Sequence, residues 1–234
     1  MTYSDTTLVI PTLNEKHTLP LLMRRVLGEY PGLQILIVDD GSTDGTTEEA
    51  EKFYSSGRVE IINRKRLKKK PGLTASVIDG IMASKTQFVI VMDADMQHPH
   101  EKIREIHVKL ARGSKLVVAV RETVIKWPFY RKVISKSLSA MGYLVLFARG
   151  KKLVSDIFSG FFGADRKTAA NIISKNRRRF VGEGYKVLFD LLKCIDARDE
   201  IEISEVKYHF GNRKFGESKA GARQVVALLR SYVT

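Results

Sequence analysis

"QFVIVMDADMQHP" occupies Gln87–Pro99. Its apolar run, Phe88 to Met92, reads as a buried strand, because a short continuous apolar segment suits a strand covered on both faces. The run closes on Asp93 and Asp95, one residue apart, with Gln97 next in the series. Strand alternation would put both aspartates on one side of the chain, where they repel unless a positive charge lies between them. Hard oxygen ligands of this kind suit a divalent ion, Mg²⁺ or Mn²⁺, which usually shares its coordination with phosphates.

Outward from this strand, the first half of the chain alternates strand and helix. "TLVIP" at Thr7–Pro11, "QILIVDD" ending at Asp40, "VEII" from Val59 and "KLVVAV" from Lys115 read as further strands. Between them lie helical patterns: "LPLLMRRVLG" ending at Gly28, a segment opened by a Thr46/Glu49 capping box, "LTASVIDGIMAS", and "HPHEKIREIHVKLARG" ending at Gly113. Such alternation predicts an α/β fold, a mostly parallel sheet flanked by helices. After Arg121 the pattern changes. A long helical stretch covers 126–150, then "DIFSGFFGADR", two more helices, a strand "EIEISEVKY", and a last helix "ARQVVALLRSYV" within 219–234. No repeat or low-complexity linker divides residues 1–234, which read as one domain.

Composition narrows the function classes. Apolar residues are 44% of the 234, enough for a sizeable core. The single cysteine, Cys194, excludes an internal disulfide and a cysteine-based zinc site. No signal peptide and no span of about 20 apolar residues is evident. The net charge of +14 asks for a polyanionic partner: nucleic acid, an anionic membrane surface or a phosphorylated substrate. The basic residues cluster at "RKRLKKK" (Arg64–Lys70) and "RRR" (Arg177–Arg179), which read either as such a surface or as solvated loops.

Ligands of open α/β sheets bind beyond the carboxyl ends of the strands. Polar residues gather there: Asn14 and Glu15, Asp39 and Asp40, Asp93 with Asp95 and Gln97, and Arg121. Taken singly, Asn14 or Asp39 could be a loop or capping residue. No G-x-G-x-x-G follows the first strand and no G-x-x-x-x-G-K-[ST] occurs, which excludes a standard dinucleotide enzyme and a P-loop protein. A phosphatase with an aspartate nucleophile would carry its D-x-D on the first strand, not the fourth. His98 and His100 could ligate a metal, but flanking Pro99 at a helix start they read rather as polar surface or capping residues.

"VIPTLNE", "IVDDGSTDGT", "VMDADMQHP", "SDIFSGF" and "FGNRKFGESK" occur in that order. In this the chain resembles the family 2 glycosyltransferases of the Rossmann-like GT-A fold, and more narrowly the dolichol-phosphate mannosyltransferases. "DDGSTDGT" marks the broad group; "DADMQHP" with "GESK" is more specific to transferases acting on polyprenyl phosphates.

The resemblance implies an inverting transfer of mannose from GDP-mannose to dolichyl phosphate at the cytoplasmic face of a membrane. It places Pro11, Leu13, Glu15, Val38 and Asp40 around the nucleoside. Asp93, Asp95 and Gln97 would hold Mg²⁺ or Mn²⁺ against the donor diphosphate, with Ala94 behind them. Arg121, Arg213 and Lys219 would line the donor phosphates. Arg121, Arg131, Ser135 and Arg213 would meet the acceptor phosphate and, with Asp95, carry the chemistry. Departures from the family pattern are Leu13 in place of tyrosine, "GLTAS" at Gly72–Ser76, and "DIFSGF", which keeps Asp156 and Ser159 but lacks a proline.

A lipid monophosphate acceptor is largely ionised near neutral pH, its second pKa being about 6, so no strong general base is required. Arg131 and Ser135, four apart, would share one helix face. The helices in 126–150 and 219–234 are expected at the membrane interface, although core packing alone would also explain the apolar stripe around Phe129–Phe147. Trp127 reads as a packing or interfacial anchor. The family includes members with membrane spans after this point and members without. Two other readings are a UDP-glucose enzyme acting on the same lipid and a basic nucleic-acid-binding module. The acidic strand end argues against the second, so no nucleic acid is expected.

Overall fold

The computed structural model describes residues 2–124, 129–184, 186–196, 198–211 and 222–234, with side chains for all but 123–124, 129–134 and 222–223. Among these, β1 (Thr6–Thr12), β2 (Gln34–Asp39), β3 (Val59–Asn63), β4 (Phe88–Val91), β5 (Leu116–Val124), β6 (Phe162–Asp165) and β7 (Ile203–Phe210) form one sheet. Its order is β3-β2-β1-β4-β6-β5-β7. β6 alone runs antiparallel to its neighbours β4 and β5; the other pairings are parallel.

Strand residues alternate between two cores, as a period of two requires. Leu8, Ile10, Ile35, Ile37 and Ile90 face one core. Here they meet α1 (Leu19–Glu29) and α4 (Lys102–Ala111) through Leu22, Val26, Ile103 and Ile106. Val9, Leu36, Val38, Val89 and Val118 face the other. That side is covered by α3 (Leu73–Ala83), α5 (Phe129–Ala148), α6 (Arg166–Lys175), α7 (Val187–Cys194) and α8 (Ala222–Val233). In α1 the buried residues Leu19, Leu22, Met23 and Val26 follow helical spacing. Each such side chain, fully buried, contributes about 1.5–3 kcal/mol.

Two expectations need correction. "DIFSGFFGADR" contains the strand β6, which a four-residue segment with a central glycine conceals. The short helix α2 (Thr46–Glu51) has no capping box, its N-cap residue being Gly45. Asp44 accepts from the Thr46 N–H at 3.0 Å instead, and Glu49 pairs with Lys52 at 2.6 Å.

The long helical stretch packs one side into the core and leaves apolar residues exposed on the other. The inner side of α5 buries Leu146 and partly buries Leu138, Tyr143 and Val145, while Met141, Leu144 and Phe147 are exposed. Lys193, fully buried on α7, ties α8 down. Its Nζ reaches Asp190 at 2.9 Å, the Ser231 carbonyl at 2.8 Å and Thr234 Oγ1 at 2.9 Å. Among the described residues no helix is long and apolar enough to cross a membrane.

Candidate active site

The carboxyl ends of β1, β2 and β4 open on one edge of the sheet, and the loops after β1 and β2 are laced together. The Asn14 N–H donates to Ser42 Oγ at 2.8 Å, and the Thr43 N–H to Asn14 Oδ1 at 2.9 Å. The Glu15 N–H donates to Thr46 Oγ1 at 2.8 Å, and the Lys16 N–H to Asp44 Oδ2 at 3.1 Å. Burial would raise the Asp44 pKa, but hydrogen bonds from Thr46 and Lys16 outweigh it and hold the carboxyl below its ordinary range. Asn14 takes a left-handed φ of 52°, which asparagine tolerates better than most residues.

Asp39 and Asp40 have separate tasks. Asp39 is fully buried and accepts from the N–H groups of Gly41 and Ser42 at 3.1 and 3.0 Å and from Thr12 Oγ1 at 3.2 Å. It builds the loop. Asp40 accepts from the Gly72 N–H at 2.6 Å and pairs with Arg64. Arg64, 3% exposed, also reaches Asp79 through Nε at 2.8 Å, Ser76 Oγ at 3.2 Å and the Lys70 carbonyl at 2.8 Å. Thus the first residue of the "RKRLKKK" run is a buried hub, and only its remainder is solvated. Gly72 is indispensable here: a Cβ on it would lie 2.1 Å from the Gly182 carbonyl oxygen. The Thr74 N–H donates to Gly184 O at 2.9 Å, so the backbone approach survives the "GLTAS" departure, while the buried Thr74 hydroxyl has no hydrogen-bond partner among the described residues.

β4 stops at Val91, and Asp93 and Asp95 follow it in a bend with Met96 at φ 63°. Strand alternation therefore does not set their directions; the bend and its neighbours do. Asp95 Oδ1 accepts the Gln97 N–H at 3.0 Å. Gln97 is clamped to the end of β7, its Nε2 donating to Gly211 O at 3.0 Å while the Gly211 N–H donates to Gln97 O at 2.9 Å. With Nε2 so engaged, the amide Oε1 is the Gln97 atom that could meet a ligand.

Asp93, with a side chain 35% exposed, lies 3.4 Å from His98 Nε2. His98 Nδ1 is 2.7 Å from the Tyr208 hydroxyl, and its ring packs against Phe161 and Phe210. The histidine is thus a buried brace for Asp93, and the surface reading fails. His100 is buried as well, 3.0 Å from Glu29. Gly160 keeps the space open, since a Cβ there would come within 3.0 Å of Asp93 Oδ2.

Arg121, on β5, makes a two-pronged pair with Asp156, Nε to Oδ2 at 2.6 Å and Nη2 to Oδ1 at 2.8 Å. It also lies 5.6 Å from the centre of the Phe210 ring. Burial would lower the Arg121 pKa and raise that of Asp156, but their mutual hydrogen bonds and charges outweigh it, so Arg121 is raised and Asp156 lowered. Lys186 completes the cluster and was not singled out by its sequence. Its Nζ lies 3.2 Å from the Phe158 carbonyl and 5.2 Å from the centre of that ring. Burial, then the charge of Arg121, pushes its pKa down to about 7 against the pull of Asp156 and Asp93. Only the three-dimensional neighbourhood sets Lys186 apart from the chain's other lysines.

Other expected site residues have varied settings. Pro11, Val38 and Ala94 have buried side chains, Val38 lying against Gly80, so a ligand would meet their backbone. Leu13 is 36% exposed at the mouth of the site. Ser135 is half-buried on α5. The Arg131 side chain, Trp127, Arg213 and Lys219 lie outside the described residues.

The donor set suits a hard cation. Asp93, Asp95 and Gln97 offer oxygens, and among the described residues no group of three or more His, Cys, Asp or Glu forms a closed metal cage. An ion there would draw its remaining ligands from water and from a bound diphosphate, the usual arrangement for Mg²⁺.

A mostly parallel sheet, with an acidic bend facing a half-buried arginine across the carboxyl ends of its strands, defines an α/β protein of the GT-A class. Residues 7–172 match the family described as glycosyl transferase family 2, and the chain belongs to that family. It is similar to the dolichol-phosphate mannosyltransferase of Pyrococcus furiosus, 35% identical over 230 residues, covering 95% of this chain and 61% of that protein. The Saccharomyces cerevisiae protein of the same name is 32% identical, with 95% and 83% covered. The Mycosarcoma maydis protein is 30% identical, with 96% and 76% covered. The fold matches glucosyl-3-phosphoglycerate synthase from Mycobacterium tuberculosis, solved with Mn²⁺, UDP-glucose and glycerol 3-phosphate. There the TM-score is 0.64 at 20% identity, with 97% of this chain and 79% of that one covered.

Proposed function

We propose that this chain transfers mannose from GDP-mannose to dolichyl phosphate, with inversion, at the cytoplasmic face of a membrane. The observation that carries the reading is the acidic bend Asp93–Gln97 facing the Arg121–Asp156–Lys186 cluster. Similarity to three proteins named dolichol-phosphate mannosyltransferase, over 95–96% of the chain, supplies the substrate classes. The nucleoside lies between Leu13, Glu15 and Asp40, with Arg64 fixing Asp40. A divalent ion, Mg²⁺ or Mn²⁺, held by Asp93, Asp95 and Gln97 supplies positive charge beside the leaving diphosphate.

The cations hold the other phosphate. Arg121, pre-aligned by Asp156, meets an acceptor phosphate together with Arg131, Ser135 and Arg213, and Lys219 joins on the donor side. An oxygen of the lipid phosphate attacks the anomeric carbon as the bond to GDP breaks, on the opposite face, so the sugar inverts. The attacking group is already an anion, and the protein's work is positioning and charge stabilisation. The exposed apolar residues of α5 and α8 meet the lipid.

The test has two arms. Thermal stabilisation with Mn²⁺ is compared for GDP-mannose, UDP-glucose and an oligonucleotide, and mannose transfer to dolichyl phosphate in vesicles is measured directly. Stabilisation by GDP-mannose with transfer is expected. Stabilisation by UDP-glucose alone, or by the oligonucleotide without metal, would replace this reading.

A further inference from the structure

A cleft of about 540 Å³ lies beside the nucleoside loops, between the start of α3, the 177–183 segment and α8. Arg64, Lys69, Lys70, Arg177 and Arg230 line it, with Asp79 and Glu183 as its acids. These cations are not equivalent. Arg64 is committed to Asp40 and Asp79, Lys69 pairs with Asp79 at 3.0 Å, and Arg230 lies 4.0 Å from Glu183. Among the described residues, Lys70 and Arg177 pair with no carboxylate, and both are exposed. The cleft therefore carries a net positive charge whose unneutralised part is at its rim.

One wall continues into an apolar surface. On α8, Ala227, Leu228, Ser231 and Tyr232 are buried, so Val226, Leu229, Arg230 and Val233 form the outward face at spacings of three and four. Their exposures, 48% for Val226, 42% for Leu229 and 81% for Val233, put an apolar stripe next to the arginine of the cleft. The Tyr232 hydroxyl donates to the Leu138 carbonyl at 2.6 Å and Arg149 Nη2 to the Tyr232 carbonyl at 3.0 Å, which docks α8 on α5. On α5, Met141, Leu144 and Phe147 are exposed as well.

We propose that this cleft is a binding site for the phosphate headgroup of an anionic membrane phospholipid, distinct from the acceptor site, with the α8 stripe lying against acyl chains. The chemistry matches on both counts: uncompensated cations for a phosphodiester, apolar side chains on the same helix face for its tails. The inference deepens the membrane-surface part of the proposed function and rests on it. Arg64 gives the site a physical link to the nucleoside pocket, since one guanidinium spans Asp79 of the cleft and Asp40.

The test uses the double variant Lys70→Glu/Arg177→Glu. A control, Arg104→Glu/Arg112→Glu, makes the same charge change on α4 and at its C-cap, across the sheet from α8. Binding is measured to phosphatidylcholine vesicles with and without phosphatidylglycerol, at about 0.15 M salt, where the Debye length is about 8 Å. The cleft variant should bind the anionic vesicles at least about 30-fold more weakly, which at 1.4 kcal/mol per decade corresponds to about 2 kcal/mol for the two removed cations, before the repulsion of the two added carboxylates. The control should stay within about threefold of wild type.

Equal losses in both variants would mean diffuse charge and no site, and no loss in either would also overturn the proposal. If vesicle binding persists in the cleft variant but stabilisation by inorganic phosphate is lost, the cleft takes a free phosphate and the lipid assignment falls. Loss of oligonucleotide binding in parallel with unchanged vesicle binding would assign the surface to nucleic acid. GDP-mannose stabilisation with Mn²⁺, measured on the same variants, should be unchanged. Its absence already in the wild type would instead indict the donor reading.

Discussion

Replacing Asp156 with asparagine isolates the charge in the pair that aligns Arg121. Asparagine nearly matches the shape of aspartate but carries no charge and only one good acceptor. The exchanged side chain is 12% exposed and its partner 19%. Removing one partner of a fully buried pair costs about 3–5 kcal/mol. Here the acceptor oxygen that remains and the residual solvation of Arg121 reduce the expected cost to about 2–4 kcal/mol. With a urea slope of about 2–3 kcal/mol per M, the midpoint at pH 7 should drop by about 1 M.

The sign with pH follows from the lowered Asp156 pKa. A depressed carboxyl contributes fully above its unfolded value, about 3.9, and loses that contribution as pH falls through the folded value. Urea titrations of wild type and Asp156→Asn at pH 7 and near pH 3 should therefore converge in acid. Transfer to dolichyl phosphate should fall about 10- to 100-fold, since misplacing a positioning group by about 1 Å costs on that order. A stability gap that is the same at both pH values, or absent at pH 7, would refute the ionic account. Normal transfer would show that Arg121 needs no alignment by Asp156.

Arg64→Ala should cost about 3–5 kcal/mol in urea unfolding and weaken GDP-mannose binding, while Arg64→Lys recovers only part; a loss under about 1 kcal/mol would return Arg64 to the solvated run. Asp95→Ala should abolish Mn²⁺-dependent transfer yet cost only about 1–2 kcal/mol, the value of the bond to the Gln97 N–H, and near-normal turnover at saturating Mn²⁺ would remove Asp95 from the metal site. Lys186→Met should stabilise the ligand-free protein below pH 7. Because the folded pKa of about 7 lies below the unfolded 10.5, that advantage should fade as pH rises between them. Melting curves that stay parallel from pH 6 to about pH 10 would contradict it.

Periodicity carried most of the fold. The alternation of β1 to β5 with helices was legible because β1, β2 and β4 are buried along nearly their whole length and α1 and α4 on one face. The bounds of α8 coincide with the pattern "ARQVVALLRSYV" because its inward residues recur at helical spacing. β6 was not legible. It gains its partners from β4 and β5, more than 40 residues away, and Gly163 leaves no side-chain alternation to read. The strand-end clusters were legible as polar residues, and the resemblance supplied roles for them. What the sequence cannot encode locally is which polar residue faces a ligand and which braces the loop.

Asp39 and Asp40 make the point, being adjacent and chemically identical. One is consumed by the loop's N–H groups and the other is held by Arg64. The same reasoning reassigns His98 and Lys186, whose settings are made by Tyr208 on β7 and by the Arg121–Asp156 pair on two distant segments. A charge surrounded only by water is set by its own pKa. A charge enclosed by the fold is set by its partners, and at this sheet edge those partners come from β2, β3, β5, β7 and the loop before β6. The basic excess of the chain divides along that line. Arg64 is buried and Arg121 and Lys186 are half-buried at the candidate site, while Lys70 and Arg177 are exposed beside α8. Salt should therefore weaken the attraction to a membrane far more than it disturbs the site, because screening acts on exposed charges and hardly reaches enclosed ones.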